Sequence, residues 1–281
     1  VFSVGDVSIS EGGLMTFTVS RSGDAQASQS VSFGTSIVGS NTAEANDFTA
    51  SNGTLSFAQG EVSKTFTVQT TGDSPKVYEG AETFTVTLSN ATGGATISSS
   101  NGTALGTILD DGSGPVPVPP SGPTPPSDDD RPTLSVSNVS VSEGSDAYAQ
   151  FTVSLSNVSD LATTVSLALN NGSATIGTDT GAGLEISTNG GTTWVAGSSA
   201  TIAAGTSSIL VRTPVTNDLL QESSENFTLV ATRTAGVTSN ISASGTGTIA
   251  DNDGAPVFSV GDVSISEGGL MTFTVSRSGD A

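Results

Sequence analysis

Apolar residues recur at every second position along this chain, in runs of two or three. Phe17 and Val19, Phe66 and Val68, and Phe84, Val86 and Leu88 each fall on one face of an extended backbone. Gly, Asn and Asp punctuate these runs. The pattern therefore predicts short strands over Val7–Ser10, Met15–Ser20, Ser30–Gly34, Gly53–Phe57, Ser63–Thr70, Glu82–Asn90 and Thr103–Leu109. The alternation resumes with Phe151, Val153 and Leu155, then Val165, Leu167 and Leu169, then Ile209 and Val211, then Phe227 and Leu229. An additional hairpin is predicted over Leu184–Trp194, around the tight-turn dipeptide Asn189-Gly190. Short, regularly spaced strands with one apolar face point to an all-β chain built of sandwiches.

The chain repeats itself. Val257–Ala281 copies Val1–Ala25 without a difference, which sets a period of 256 residues. A weaker repetition lies inside that period. Val7-Ser-Ile-Ser-Glu11-Gly12 matches Val139-Ser-Val-Ser-Glu143-Gly144, and Gly106-Thr-Ile-Leu-Asp110-Asp111 matches Gly247-Thr-Ile-Ala-Asp251-Asn-Asp253. Two homologous domains are expected, over 1–111 and 132–253. Residues 112–131 form a proline-rich linker whose prolines exclude a central strand. Residues 254–256 make a short junction, and 257–281 open a third sandwich with its first strands. Those strands cannot bury their apolar face alone, so they are expected to be covered by other chain.

Composition narrows the function. Seven basic residues face 27 acidic ones, a net charge of −20, which excludes nucleic-acid binding through phosphate contacts and favours cations as partners. Cysteine and histidine are absent, so thiol chemistry, disulfides and the usual zinc and copper sites are excluded. No apolar stretch is long enough for a membrane span in this fragment. Serines lack a histidine base, and an enzyme is not expected.

The acids recur at fixed spacing. Glu11 and Asp47 lie 36 residues apart, as do Glu143 and Asp179. Asp73 and Glu79 precede the strand that begins near Phe84, and Asp218 and Glu222 precede the one near Phe227. The last strand of each domain ends in Asp110-Asp111 or in Asp251-Asn-Asp253. In an antiparallel sandwich such positions converge on one rim, where a like-charge pair about 4 Å apart costs roughly 4 kcal/mol. Bound cations relieve that repulsion. Calcium suits it best, since it takes six to eight oxygen ligands in forgiving geometry.

The ordered series Ser10-Glu11-Gly12, Ala45-Asn-Asp47-Phe48, Gly53-Thr-Leu-Ser-Phe57, Lys64-Thr-Phe66-Thr-Val68, Glu79-Gly80-Ala-Glu82-Thr-Phe84 and Ile108-Leu-Asp110-Asp111 resembles the Calx-beta domain. The resemblance implies an immunoglobulin-like sandwich that binds calcium at one rim through Glu11, Asp47, Asp73, Glu79, Asp110 and Asp111. The second domain is similar to divergent Calx-beta relatives and to extender repeats of large bacterial adhesins, which implies Glu143, Asp179, Asp218, Glu222, Asp251 and Asp253 as its ligands. Glu267, the copy of Glu11, belongs to the same expected set. The chain thus reads as two immunoglobulin-like Calx-beta-type sandwiches in tandem plus the start of a third.

Other features have plainer readings. Glu82 and Glu225 lie inside strands and are taken as outward-facing, solvated residues. Asp128 to Asp130 are taken to keep the linker soluble, with completion of a neighbouring metal site as the alternative. Trp194 anchors its hairpin. The expected function is a calcium-stiffened repeat of a secreted or cell-surface bacterial fibre or adhesin, extending a tip or forming a filament beside like repeats. A module that binds a polysaccharide or surface ligand is the alternative.

Overall fold

Alternation translates directly into strands. The computed structural model describes residues 1–115 and 129–279, and among these every regular element is a strand. The expected proline-rich spacer falls largely on residues 116–128 and lies outside the described residues. Two compact units result, one of Val1–Pro132 with Asn157–Leu161, the other of Thr133–Ser156 with Ala162–Ala281.

The first unit contains β1 (Phe2–Val4), β2 (Val7–Ser10), β3 (Leu14–Arg21), β4 (Gln29–Ser36), β5 (Asn52–Phe57), β6 (Ser63–Gln69), β7 (Val77–Tyr78), β8 (Glu82–Ser89) and β9 (Thr103–Leu109). One sheet has the order β1-β3-β6 and the other β2-β9-β8-β4-β5. Between them lies a core of inward residues that includes Phe2, Phe17, Phe66 and Phe84. Phe17 stacks on Phe66 with centroids 5.3 Å apart, and Phe48 stacks on Phe84 at 4.1 Å.

The chain continues through β10 (Leu134–Val136), β11 (Val139–Ser142), β12 (Tyr148–Leu155), β13 (Val158–Ser159), β14 (Thr163–Asn171), β15 (Glu185–Ser187), β16 (Val195–Ala196), β17 (Ser199–Ile202), β18 (Ser208–Pro214), β19 (Glu225–Ala235) and β20 (Ser242–Ala250). Of these, β13 pairs with β7 inside the first unit. The second unit packs the sheets β10-β12-β18-β15-β16 and β11-β20-β19-β14-β17 around Phe151, Phe227 and Leu229.

Two details differ from the sequence-based expectation. The sandwiches are not wholly antiparallel, because β2 runs parallel to β9 and β11 runs parallel to β20. The hairpin around Asn189-Gly190 forms between β15 and β16, but its loop is longer than a two-residue turn. Asn189 Oδ1 accepts the Thr193 amide at 3.0 Å, and Gly190 and Gly191 both take positive φ, so one asparagine side chain organises a wider loop. Trp194 carries the Arg212 guanidinium 4.0 Å from its ring centroid, and the same guanidinium sits 3.8 Å from the Tyr148 ring.

The duplicated segment behaves differently from its original. β21 (Val257–Val260) pairs with β22 (Val275–Ser278) in the register of β1 with β3, so that Phe258 faces Arg277 as Phe2 faces Arg21. Residues 261–266, the copy of β2 and its flanks, form no strand. In the first unit β2 is held by β9, and the duplicate has no such neighbour among the described residues. The expected covering of this segment is not met among the described residues. Phe258 is 69% exposed and Phe273 56%, where Phe2 and Phe17 are wholly buried.

Candidate cation site

Parallel pairing explains why acids distant in sequence meet. Ser10 pairs with Leu109, so the next residue on each strand, Glu11 and Asp110, emerges at the same end of the sheet. The Glu11 amide donates to the Leu109 carbonyl at 3.2 Å. Antiparallel β8 begins at that end, with Glu82 opposite Ile108. Asp47 is fixed there by the Thr71 amide, which donates to its carbonyl at 2.7 Å, while its carboxylate accepts the Glu44 amide. Glu79 is positioned through its own amide, which donates to Asp110 Oδ2 at 2.5 Å.

The result is two close acidic triads in the first unit, Glu11–Asp110–Asp130 and Asp47–Glu79–Glu82, each with carboxylate oxygens within 4.8 Å of one another. Glu11, Asp110 and Asp130 are all buried. Asp130 arrives because the chain doubles back: Asp111 bridges Asp129, and the Asp130 amide donates to the Asp110 carbonyl at 3.2 Å. The Lys76 ammonium pairs with Asp130.

The second unit repeats this wiring with different residues. Ser142 pairs in parallel with Ala250, which brings Glu143 beside Asp251. The Glu222 amide donates to Asp251 Oδ2 at 2.8 Å, as that of Glu79 does to Asp110. The Thr216 amide holds the Asp179 carbonyl at 3.0 Å, as Thr71 holds Asp47. The close triads are Glu143–Asp218–Asp253 and Asp179–Glu222–Glu225.

Crowding and burial raise the proton affinity of these groups. Burial, then the Asp73 and Asp47 carboxylates, push Glu79 up to about 7. Asp110 is pushed to about 7, chiefly by burial against the opposing hydrogen bond from the Glu79 amide, with the Asp130 charge adding to it. Burial raises Glu82, helped by its hydrogen bond to Asp47, and Glu225 responds in the same way to burial and Asp179. Glu143 and Glu222 also rise, first through burial and then through neighbouring acids.

Of the residues singled out from sequence, Glu11, Asp47, Glu79, Asp110, Glu143, Asp179, Asp218, Glu222 and Asp253 lie in the triads. Four others do not join a triad among the described residues. Asp73 donates its amide to Glu11 Oε1 at 3.3 Å. Asp111 accepts from the Ser113 amide and hydroxyl, which hold its carboxyl below the usual range. Asp251 braces the Glu222 and Asp253 amides. Glu267 is exposed in the duplicated segment.

Three triad members were assigned other roles from sequence. Glu82 and Glu225 are not outward and solvated but half-buried beside Asp47 and Asp179. Their signal was available: Glu82 shares parity with the inward Phe84, Val86 and Leu88, and Glu225 with Phe227, Leu229 and Ala231. Asp130 is not a solubilising linker residue but 2% exposed. Nothing in its local sequence marks it, since its place depends on the reversal after Asp111.

The donor set is all oxygen. Asp110 Oδ1, Asp130 Oδ2 and Glu143 Oε2 are buried without a hydrogen-bond donor, an arrangement that fits a hard divalent cation able to accept several carboxylate oxygens.

No curated protein matches the sequence. Among solved structures the chain is similar to the apo-form Calx CBD1 domain, at 26% identity over 39% of this chain and 96% of that one, with a TM-score of 0.35. It is similar to CBD12 from CALX1.2 at 20% identity, over 82% and 79% of the two chains, with a TM-score of 0.37. The CupB6 tip adhesin from Pseudomonas aeruginosa resembles it at 11% identity, over 90% and 98%, with a TM-score of 0.31. The Calx-beta domain family matches residues 1–112 and again 127–183, more than half of the sequence and most of the acidic framework just described. The chain belongs to the Calx-beta domain family.

Proposed function

We propose that this chain is a calcium-stiffened, non-catalytic structural repeat of a secreted or cell-surface bacterial fibre or adhesin, with Glu11, Asp110 and Asp130, Asp47, Glu79 and Glu82, and their counterparts in the second unit as the calcium ligands. The observation that carries the reading is the duplication of two acidic triads by different residues under the same backbone wiring. A folded chain that crowds buried carboxylates in this way is destabilised unless a cation shares their charge.

The repeat structure supports the mechanical role. An exact copy of the opening segment after 256 residues suits a chain that gains length by repetition. Calcium bound only by the folded state contributes about 2.7 kcal/mol per site at a hundredfold excess over Kd. Extracellular modules bind at roughly 0.1 to 1 mM, so folding is favoured outside a cell and weakened where calcium is scarce.

Thermal unfolding with calcium and with chelator tests this proposal. The expected outcome is a midpoint at least about 10 °C higher with calcium, since about 1 kcal/mol moves a domain of this size by several degrees. Equal midpoints in the two buffers, at the pH of an extracellular medium, overturn it.

A further inference from the structure

An edge strand leaves half of its backbone groups without a neighbour, and β proteins shorten, charge or bend such strands to keep them single. Most edges of this molecule follow that rule. Among the described residues, every sheet edge other than β5 and β6 is a strand of four residues or fewer. The seven-residue β6 carries Lys64, and its last residue is taken by the loop before β5, where the Thr49 amide donates to the Gln69 carbonyl at 2.8 Å. β5 has none of these defences. It runs for six residues, Asn-Gly-Thr-Leu-Ser-Phe, with no charge, no proline and no break in its register with β4.

The register shows which groups are open. Gly53, Leu55 and Phe57 lie opposite Phe33, Val31 and Gln29, and the Thr35 amide donates to the Ser51 carbonyl at 2.9 Å. Bonded and non-bonded pairs alternate along an antiparallel ladder, so the odd residues of β5 bond to β4, while the amides and carbonyls of Asn52, Thr54 and Ser56 point away from it. No loop among the described residues bonds to those groups, and the three residues are exposed. The strand also complements itself. Laid antiparallel on a second copy about a two-fold axis at Thr54, it sets Thr54 opposite Thr54 and Asn52 opposite Ser56, small polar residues on both sides. On the inward face Leu55 then meets Gly53, which has no side chain and lies against the Phe33 ring. Neither strand brings a charge to the contact, and a chain of net charge −20 can meet its own copy most readily through such a neutral strip.

We infer that β5 is a lateral docking edge whose occupant is β5 of a second copy of this chain. The sheet β2-β9-β8-β4-β5 then continues from one molecule into the other through up to about six backbone hydrogen bonds. The contact is isologous and closed, so it pairs two chains side by side and lengthens neither. The strand contains no member of the acidic triads, and the inference stands or falls apart from the calcium reading.

Sedimentation equilibrium of the full chain, in chelator at about 150 mM salt and from about 10 µM to 1 mM protein, tests the edge. The unaltered chain is expected to rise from its monomer mass of 27.7 kDa toward twice that value. Thr54→Pro removes an outward amide and no bond to β4, a place in a sheet where proline is tolerated. Thr54→Lys sets two like charges face to face across the axis. Each is expected to weaken association about tenfold or more while the melting midpoint moves by no more than a few degrees. A chain that stays monomeric at the highest concentration overturns the inference. So does undiminished association of folded Thr54→Lys, the variant that decides the matter should Thr54→Pro fail to fold.

The register has a covalent readout. Bonded partners in an antiparallel ladder lie about 5.5 Å apart at Cα, within reach of a disulfide, and the chain has no cysteine of its own. Thr54→Cys is therefore expected to give a disulfide-linked dimer under mild oxidation. Asn52→Cys faces Ser56 and not itself, so it is expected to link about tenfold more slowly or not at all when alone, and readily when mixed with Ser56→Cys. No linking of Thr54→Cys, or linking of Asn52→Cys with itself at the same rate, overturns the proposed pairing.

Discussion

Glu82 and Asp47 illustrate what one carboxyl does in this rim. Their side chains hydrogen-bond to each other, which requires a proton on one of them, and burial favours keeping it. A bound divalent cation would replace that proton. Glu82→Gln keeps the shape and removes the charge. In chelator at pH 8 it is expected to stabilise the first unit by about 1 kcal/mol, and with calcium present to weaken binding about tenfold or more. Glu225→Gln should do the same in the second unit. Calorimetric titration beside thermal melts measures both effects, and a variant that lowers stability in chelator counts against the cation role. The pH dependence has a fixed sign. Asp110 and Glu79 rise to about 7 from ordinary values of 3.8 and 4.5, so the folded state binds protons more tightly than the unfolded one. Their stabilising contribution is complete below about pH 4 and is lost as pH climbs through about 7. Chelated protein should therefore melt lower at pH 8 than at pH 5. With calcium the slope reverses, since protons then compete with the ion. The strand alternation that located Phe84 also placed Glu82 on its face, so this residue was legible; Asp130 was not, because a chain reversal rather than a local pattern brings it to Asp110.

Among the elements, β9 and β20 show how the core and the rim are made together. Each carries a glycine directly opposite an aromatic, Gly106 facing Phe84 and Gly247 facing Phe227. A Cβ at Gly106 would come within 2.3 Å of the Phe84 ring, and one at Gly247 within 2.5 Å of the Phe227 ring. Gly106→Ala and Gly247→Ala are each expected to cost about 1–3 kcal/mol by overpacking, read as a fall in the denaturation midpoint of the corresponding unit. A neutral outcome would show that the ring has room to turn away. These same strands run beside β2 and β11, and the parallel pairing delivers Glu11 and Glu143 to the rim. The strands themselves were legible because half-burial imposes a period of two on the sequence. Their parallel partners were not, since a strand's direction relative to its neighbour leaves no mark in that period. The loop around Asn189 was misjudged for a related reason: Asn-Gly identifies a turn, and the Asn189 contact to Thr193 decides its width.

For the whole molecule the excess of 27 acids over seven bases sets how stability responds to salt. Without calcium, the acidic triads and the wider negative field repel, and dissolved ions screen the exposed part of that repulsion within about 8–10 Å at ordinary ionic strength. Raising sodium chloride from about 10 to 500 mM in chelator should therefore raise the melting midpoint by several degrees. If the rim holds calcium as proposed, saturating calcium neutralises it, so little repulsion would be left to screen, and sodium would weaken the attraction between calcium and the carboxylates. The midpoint should then stay level or fall slightly over the same range. The two slopes differ only if the cation sits among the crowded acids. A protein stabilised by calcium through diffuse surface charge would show the same screening by either salt, and the chelated and loaded curves would run parallel. Scanning calorimetry at several salt concentrations, with and without calcium, separates these cases, and Glu82→Gln with Glu225→Gln should bring the chelated slope toward the loaded one.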